Sequence, residues 1–362
     1  MAIKQLSLRA SAASRWIACP ASARLSELMP YVEGGEAAKI GTAIHALAET
    51  CFQLDSDPMK SIGTVVEGIT MTEENCEFAL EHLKAIWAIE DELGEGCVTV
   101  EKFLPYQDTP QVKVGGTADV VGYSHENRKL IIADLKTGRG YVDADNDQLR
   151  LYALAALEAE QLYKYIDTVE LWIIQPHHGE TRKHSMTTQE LVDWEHYVLI
   201  PAIENALNPL FQPVPSDSAC QYCNARTICP AQANIAEVVA TAPPVEMLTE
   251  AQISVLLTKF DMVEGYIKAV RDHALKRMES GFVIDGWQLQ PKRALRSWTD
   301  ESDAKKGLLA LGLDEDQVTK TELISPAAAE KLLTKDQRLG LEALTSRISS
   351  GLTLARDKGL TQ

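Results

Sequence analysis

Apolar residues along the chain recur with two spacings, every three to four positions in long stretches and every second position in shorter runs. The first spacing marks amphipathic helices and the second half-buried strands. Helical spacing covers residues 10–29, where Ser11 or Ser14 is available as an N-cap. It returns over 35–54, with Ile40, Ile44, Leu47 and Phe52 turned to one side, and over 72–93, which stops at Gly94. VTVEKFLPY (98–106) then has strand composition. VKVGGTADVVGY (112–123) and KLIIADL (129–135) flank the polar turn SHEN, which predicts a β-hairpin. A helix over 145–162, the strand TVELWIIQP (168–176) and a helix over 187–207 follow. Strands interrupted by a crossover helix predict an α/β core with a central mixed sheet flanked by helices.

From Ala236 the pattern changes, and TAPPVE (241–246) reads as a linker. The expected division is therefore a core of residues 1–235 and an α-helical extension with a β-hairpin over 236–362. Within the extension a long helix spans 248–279, and 281–298 reads as a hairpin turning at Asp285-Gly286. Residues 300–350 are expected to be helical, broken at Gly312 and near Pro326, and the last residues extended or disordered. Trp287 and Trp298 interleave with Lys292, Arg293 and Arg296, a composition suited to stacking single-stranded nucleic acid. Core packing is the plainer account of the two tryptophans.

The 362 residues, 45% hydrophobic and 24% charged, can bury a sizeable core. No run of 18 apolar residues suggests a membrane span, and the first residues lack the apolar centre of a signal peptide. A cytoplasmic location is expected. The net charge of −17, from 35 basic and 52 acidic residues, works against phosphate binding. Basic residues do gather at Arg128, Lys129, Lys136 and Arg139, and again at Lys292, Arg293 and Arg296. Weak, salt-sensitive binding to duplex DNA, or delivery by a partner, is the expectation.

The candidate chemistry sits on the central hairpin. Side chains two apart on a strand share a face, so Asp134 and Lys136 project together and Asp119 can meet them from the adjacent strand. Two carboxylates and an ammonium make a site for a hard cation and an activated water. Glu101 on the preceding strand is a further acid, and His45 and Glu49 share a helix face one turn apart. Gln148 and Tyr152 have the same spacing on the helix after the hairpin. Of seven cysteines, Cys51, Cys76 and Cys97 are scattered and read as buried thiols. Cys220, Cys223 and Cys229 lie close together, and Cys19 stands far upstream. Four thiolates suit either a tetrahedral zinc or an iron–sulfur cluster, and softness alone does not separate the two.

In order along the chain, Gly41 and His45, Gly116 and Asp119, Asp134 and Lys136, and Gln148 and Tyr152 form a set. That set resembles the RecB-like branch of the PD-(D/E)XK nuclease superfamily, with Asp at the position where many members carry Glu. The resemblance implies a restriction-endonuclease-like core holding Mg²⁺ or Mn²⁺ through His45, Asp119, Asp134 and the Leu135 carbonyl, with Lys136, Gln148 and Tyr152 assisting. The cysteine layout is similar to that of iron–sulfur nucleases, the AddB-type helicase-nuclease subunit and CRISPR-associated exonucleases of RecB type. It implies a structural [4Fe-4S] cluster on Cys19, Cys220, Cys223 and Cys229, with zinc as the alternative. The whole layout resembles phage- and prophage-encoded RecB-like proteins. The implied activity is a DNA exonuclease leaving 5′-phosphates in recombination or replication, acting on single strands or duplex ends and working with a phage recombination or single-strand-binding protein. The rival reading is a catalytically silent DNA-binding or assembly scaffold.

Overall fold

In the computed structural model, the described residues are 5–30, 34–179, 181–291, 295–318, 326, 329, 333, 344–348 and 352–356. They fall into two compact units, Met1–Tyr266 and Ile267–Gln362. The segment read as a linker, 241–246, lies inside the first.

The first unit opens with β1 (Leu6–Arg9), α1 (Ala13–Ala18), α2 (Ala21–Glu27) and α3 (Glu36–Gln53). A two-residue ribbon, β2 (Val65–Val66) and β3 (Ile69–Thr70), leads into α4 (Glu73–Leu93). Then come β4 (Val98–Asp108), β5 (Val112–Ser124), β6 (Lys129–Leu135), α5 (Asp147–Ala159), β7 (Thr168–Ile174) and β8 (Arg182–Thr187). The remaining helices are α6 (Thr188–Trp194), α7 (Ile200–Leu207), α8 (Asp217–Gln221), α9 (Pro230–Ala240) and α10 (Glu250–Glu279), the last running across the division between units. Among the described residues no helix is long and apolar enough to cross a membrane.

The expected mixed sheet is present. Its order is β1-β5-β6-β7-β8, with β4 along the other edge of β5. β1 with β5 and β6 with β7 are parallel, and the other pairs are antiparallel. β1 pairs with Val112–Gly115 and β6 with Val120–Ser124 of the same strand. Between them, residues 116–119 lie where β1 has left and β6 has not yet joined. That opening in the sheet is where Asp119 sits.

Two apolar layers sandwich the sheet. One contains Val114, Ala118, Ile132 and Leu171 against α5, whose run Leu151–Leu157 is buried throughout. The other contains Val120, Ile131, Ala133 and Trp172 against α3 and α4. α5 begins at Asn146, whose side-chain oxygen accepts from the Leu149 amide at 3.0 Å.

Gly115 makes close strand pairing possible. Its φ is +146°, and a Cβ there would stand 2.4 Å from the Leu104 carbonyl oxygen. Gly115→Ala is expected to cost about 1–3 kcal/mol, read as a lower urea midpoint at unchanged slope. An unchanged midpoint would show that β4 can shift to make room.

Two helical expectations change in detail. Residues 10–29 form α1 and α2 rather than one helix. Pro20 disfavours helical geometry at Cys19, which adopts φ −137° and ψ 81°. The helix over 187–207 contains a π-helical stretch, Glu195–Leu199, just before Pro201, whose missing amide cannot continue the α-helical ladder.

The second unit contains β9 (Trp287–Pro291), β10 (Leu295–Trp298), α11 (Glu301–Ala310), α12 (Glu315–Val318), β11 (Thr345–Ile348) and β12 (Leu352–Arg356). The hairpin expected over 281–298 is not formed. β9 pairs with β12 and β10 with β11, so both strands take partners from the chain's end. Asp285-Gly286 precedes β9 instead of turning a hairpin, and 300–350 is helical only in part. Leu308, Leu313, Val318, Ala329 and Leu333 form a small core here. Trp298 packs against it, as the plainer account held, while Trp287 is partly exposed. Lys292 and Arg293 lie outside the described residues, as does the Arg296 side chain.

Candidate metal centre

Asp119, from the opening in β5, turns toward α3. Ala118 packs with the α5 layer and Val120 with the α3 layer, so strict alternation breaks at this point. The break is matched on β4. Val100 pairs with Val120 and Lys102 with Ala118, leaving Glu101 opposite Asp119. Glu101 has φ +47°, a left-handed conformation costly for a non-glycine residue. The paired irregularity delivers both carboxylates to His45, whose Nδ1 lies 3.4 Å from Glu101 Oε1 and 3.5 Å from Asp119 Oδ2. One donor atom from each of His45, Glu101 and Asp119 fits within a 4.8 Å circle of mutual distances, close enough for a cation. Asp119 Oδ2 also accepts from the Leu135 amide at 2.8 Å.

Asp134 and Lys136 lie together, as alternation requires. Lys136 Nζ is 2.7 Å from Asp134 Oδ2. Gln148 closes a triangle, its Nε2 donating to Asp134 Oδ1 at 2.7 Å and its Oε1 accepting from Lys136 at 3.1 Å. In this state Asp134 is thus held by a lysine and an amide, while Asp119 groups with His45 and Glu101. His45, Asp119, Asp134, Lys136, Gln148 and Tyr152 line one cleft of about 620 Å³. Gly116 presses against Tyr152, since a Cβ there would come within 3.2 Å of the phenol oxygen. Likewise a Cβ on Gly41 would lie 3.1 Å from Thr137 Oγ1, so glycine lets α3 approach the strand end. Glu49 stays outside the convergent group, and its carboxylate accepts from Gln53 at 3.1 Å.

Three acids with one lysine make a buried, electron-rich site. Asp119 and Asp134 are only 9% and 2% exposed, and burying a carboxylate is costly without a compensating cation. Burial, then the charge of Asp134, pushes the Asp119 carboxyl well above its usual range. Burial opposes protonation of His45, but the Glu101 hydrogen bond and the charges of Asp119, Asp134 and Glu101 outweigh it and raise its pKa to about 9. His82 stands behind His45, with ring centroids 6.0 Å apart, and burial followed by the charge of His45 lowers its pKa to about 3. His82 therefore stays neutral, and protonated His45 is the positive charge nearest Glu101 and Asp119.

A metal ligand must be a neutral imidazole. If Mn²⁺ binds through His45, it must expel a proton below about pH 9, and apparent affinity should climb from pH 6 to about 9 and level off above it. Titration calorimetry at pH 7.5 in buffers of different ionisation enthalpy measures this. A buffer-independent heat would remove His45 from the ligand set.

One residue that sequence reasoning passed over holds the loop beside the cleft. Gln175 is fully buried, and its Nε2 donates to the carbonyls of Gly138 and Gly140 at 2.6 and 2.7 Å. Its Oε1 accepts from the Val142 amide at 3.3 Å and from Arg182. His178, given no role from the sequence, meets the Arg139 carbonyl at 2.8 Å. Together they hold the loop that follows Lys136. The available signal was an amide ending an otherwise apolar strand, TVELWIIQP.

The basic cluster on the hairpin does not stand as a free patch. Arg128 pairs with Asp167, and Lys129 with Glu92 and Glu170, all carboxylates distant in sequence.

The four cysteines Cys19, Cys220, Cys223 and Cys229 line a common pocket of about 20 Å³, and none is in a disulfide. The Val214 amide donates to Cys19 Sγ at 3.3 Å, and Gln232 Nε2 to Cys220 Sγ at 2.9 Å. Their sulfurs do not form a convergent donor group of the kind seen at His45. Cys51 and Cys76 are buried thiols in the α3–α4 layer, as expected, with Cys97 partly buried beside them.

Two solved structures are similar over 59% of the chain. The protein SSO0001 matches at 14% identity over 94% of its length with a TM-score of 0.26. A Eubacterium rectale protein named "Putative exonuclease" matches at 12% identity over 85% of its length with a TM-score of 0.35. At these TM-scores neither likeness bears on function. The sequence itself matches one family across nearly its whole length, residues 6–358, and the chain belongs to that family, DUF2800, described as "Protein of unknown function".

Proposed function

We propose that this protein is a metal-dependent deoxyribonuclease, an exonuclease that hydrolyses phosphodiester bonds to leave 5′-phosphates. The observation that carries the reading is the convergence of His45, Glu101 and Asp119 within ligand distance of one another, with His45 and Asp119 lining one cleft together with the Asp134–Lys136–Gln148 triangle. The donor set fits a hard divalent cation with one nitrogen ligand, which favours Mn²⁺ alongside Mg²⁺. His45, Glu101 and Asp119 would hold it, with Asp134 and the Leu135 carbonyl completing the shell. Once bound, a divalent cation polarises a phosphoryl oxygen and acidifies a water.

The chain's own residues supply the rest. Asp134 and Gln148 fix the Lys136 ammonium, so that it faces the negative charge that builds on the attacked phosphate without reorganising. Tyr152 backs the cleft opposite Gly116 and contributes a protonated phenol, its ionisation pushed up by burial and then by Asp134 and Asp119. Gln175 fixes the loop that follows Lys136 through the Gly138 and Gly140 carbonyls.

The shared cysteine pocket supports a second component, a structural [4Fe-4S] cluster on Cys19, Cys220, Cys223 and Cys229. It would tie α1 to α8 across most of the first unit, with zinc as the competing occupant. The place of action proposed is the cytoplasm, in recombination or replication of phage or prophage DNA, with a recombination or single-strand-binding protein as partner.

The test uses end-labelled single- and double-stranded DNA with Mn²⁺, Mg²⁺ or chelator, for the native chain and Asp119→Asn. Metal-dependent loss of label by the native chain alone supports the reading. Inert native protein that still binds DNA leaves the scaffold reading in its place.

A further inference from the structure

A strip of the central sheet leading to Asp119 is left open among the described residues. On β1, Ser7 and Arg9 face away from buried Leu6 and Leu8, and on β5, Lys113 and Thr117 face away from buried Val112 and Val114. Register places Ser7 beside Lys113, Arg9 beside Gly115, and Phe103 of β4 beside Thr117. These residues therefore form one continuous face. Phe103 is 52% exposed, and Lys113 Nζ lies 5.3 Å from the centre of its ring.

The strip opens into the same cleft as His45, Asp119 and Lys136. At its other end Ser7 and Arg9 also line a second cleft of about 480 Å³, with Arg15 and Trp16. The groove thus carries Arg9, Arg15 and Lys113 in a chain whose net charge is −17. The acids beside it are Asp108, 3.9 Å from Lys113, and Glu27. Arg15 donates to Ser26 Oγ at 2.7 Å, while Arg9 has no carboxylate partner among the described residues.

We propose that this strip is the track for an unpaired DNA strand, with Arg9 and Lys113 on its phosphates and a base stacked on Phe103, leading it to Asp119. The proposal deepens the nuclease reading and rests on it for the identity of the polymer. Three observations support an unpaired strand. An exposed aromatic ring can accept a base face only when that base is out of the duplex stack. Basic groups beside it can follow a phosphate backbone. Asp119 is six residues along β5 from Lys113, roughly 20 Å at ~3.3 Å per residue, a length that takes several nucleotides rather than one.

Binding is measured by fluorescence anisotropy with a labelled twelve-nucleotide single strand and its matched duplex, in chelator so that nothing is hydrolysed. The variants are Phe103→Ala, Phe103→Trp, Arg9→Gln and Lys113→Gln, with thermal unfolding confirming that each folds. Native protein should prefer the single strand. Phe103→Ala should weaken that binding roughly tenfold and Phe103→Trp restore it. Arg9→Gln and Lys113→Gln should each lower the slope of log affinity against log salt by about 0.7.

Native-like binding by Phe103→Ala and Lys113→Gln overturns the track, and so does a preference for duplex. Lys84→Gln, at a lysine paired with Glu81 and outside both clefts, should bind as the native chain does. A protein that binds along the strip yet hydrolyses nothing would sink the nuclease reading alone.

Discussion

Lys136→Ala is expected to lower metal-dependent DNA hydrolysis by about 10²–10³-fold at saturating Mn²⁺, the usual loss when one preorganised charge donor is removed. The geometry makes the effect larger than that of a surface lysine. Lys136 Nζ sits 2.7 Å from a carboxylate that is 2% exposed and is held on its other side by Gln148. Burial alone would lower the lysine's pKa, but the charge and hydrogen bond of Asp134 raise it, so the ammonium stays charged throughout the neutral range. Removing it takes one positive charge from a cleft lined by Asp119 and Asp134. Divalent affinity should therefore hold or rise while the rate falls. Single-turnover rates against Mn²⁺ concentration separate the two effects: a lower plateau with an unshifted midpoint supports the assignment. A native plateau would end it. The variant also leaves Asp134 with only Gln148, so Lys136→Arg, which keeps a cation there, serves as a folding control.

The second large effect belongs to the cysteine pocket. If Cys19, Cys220, Cys223 and Cys229 hold one cluster, the link closes roughly 200 residues of chain. A cross-link over a loop of that length is worth on the order of 5 kcal/mol in chain entropy. Cys220→Ser is therefore expected to lower the unfolding midpoint of the first unit by about 10 °C and to remove bound iron together with absorbance near ~400 nm. The same sample should retain the His45 site, because the two sites share no lining residue. Colourless native protein carrying one zinc per chain would assign the pocket to zinc. Native protein with neither metal, unfolding at the same temperature as Cys220→Ser, would remove the cluster altogether.

Much of the candidate site was legible before any coordinates. Asp134 and Lys136 share a face because strand periodicity is two, and the chain turning at SHEN makes Asp119 their neighbour. Gln148 and Tyr152 were placed by helical spacing, and His45 by its position on an amphipathic helix. Glu101 was visible only as one more acid on a strand. Its membership depends on a left-handed backbone that breaks alternation on two strands at once, which no single-strand pattern encodes. Glu49, favoured by the same spacing as His45, turned out to be held by Gln53 on its own helix.

The sequence by itself determined the long helices and the strands β4 to β7 of the first unit, because side-chain periodicity and caps act within a few residues, while β1 and β8 went unread. It also determined that Asp119, Asp134 and Lys136 occur on adjoining strands. The tertiary structure decided what distant segments bring. It closed β9 and β10 with strands from the chain's end instead of with each other, since pairing partners far apart are selected by packing. It neutralised Arg128 and Lys129 with carboxylates from other elements, so a run of basic residues became ion pairs. It also joined Gln175 to the loop after Lys136 through carbonyls some 35 residues away, where a buried amide had to satisfy both its donors and its acceptor.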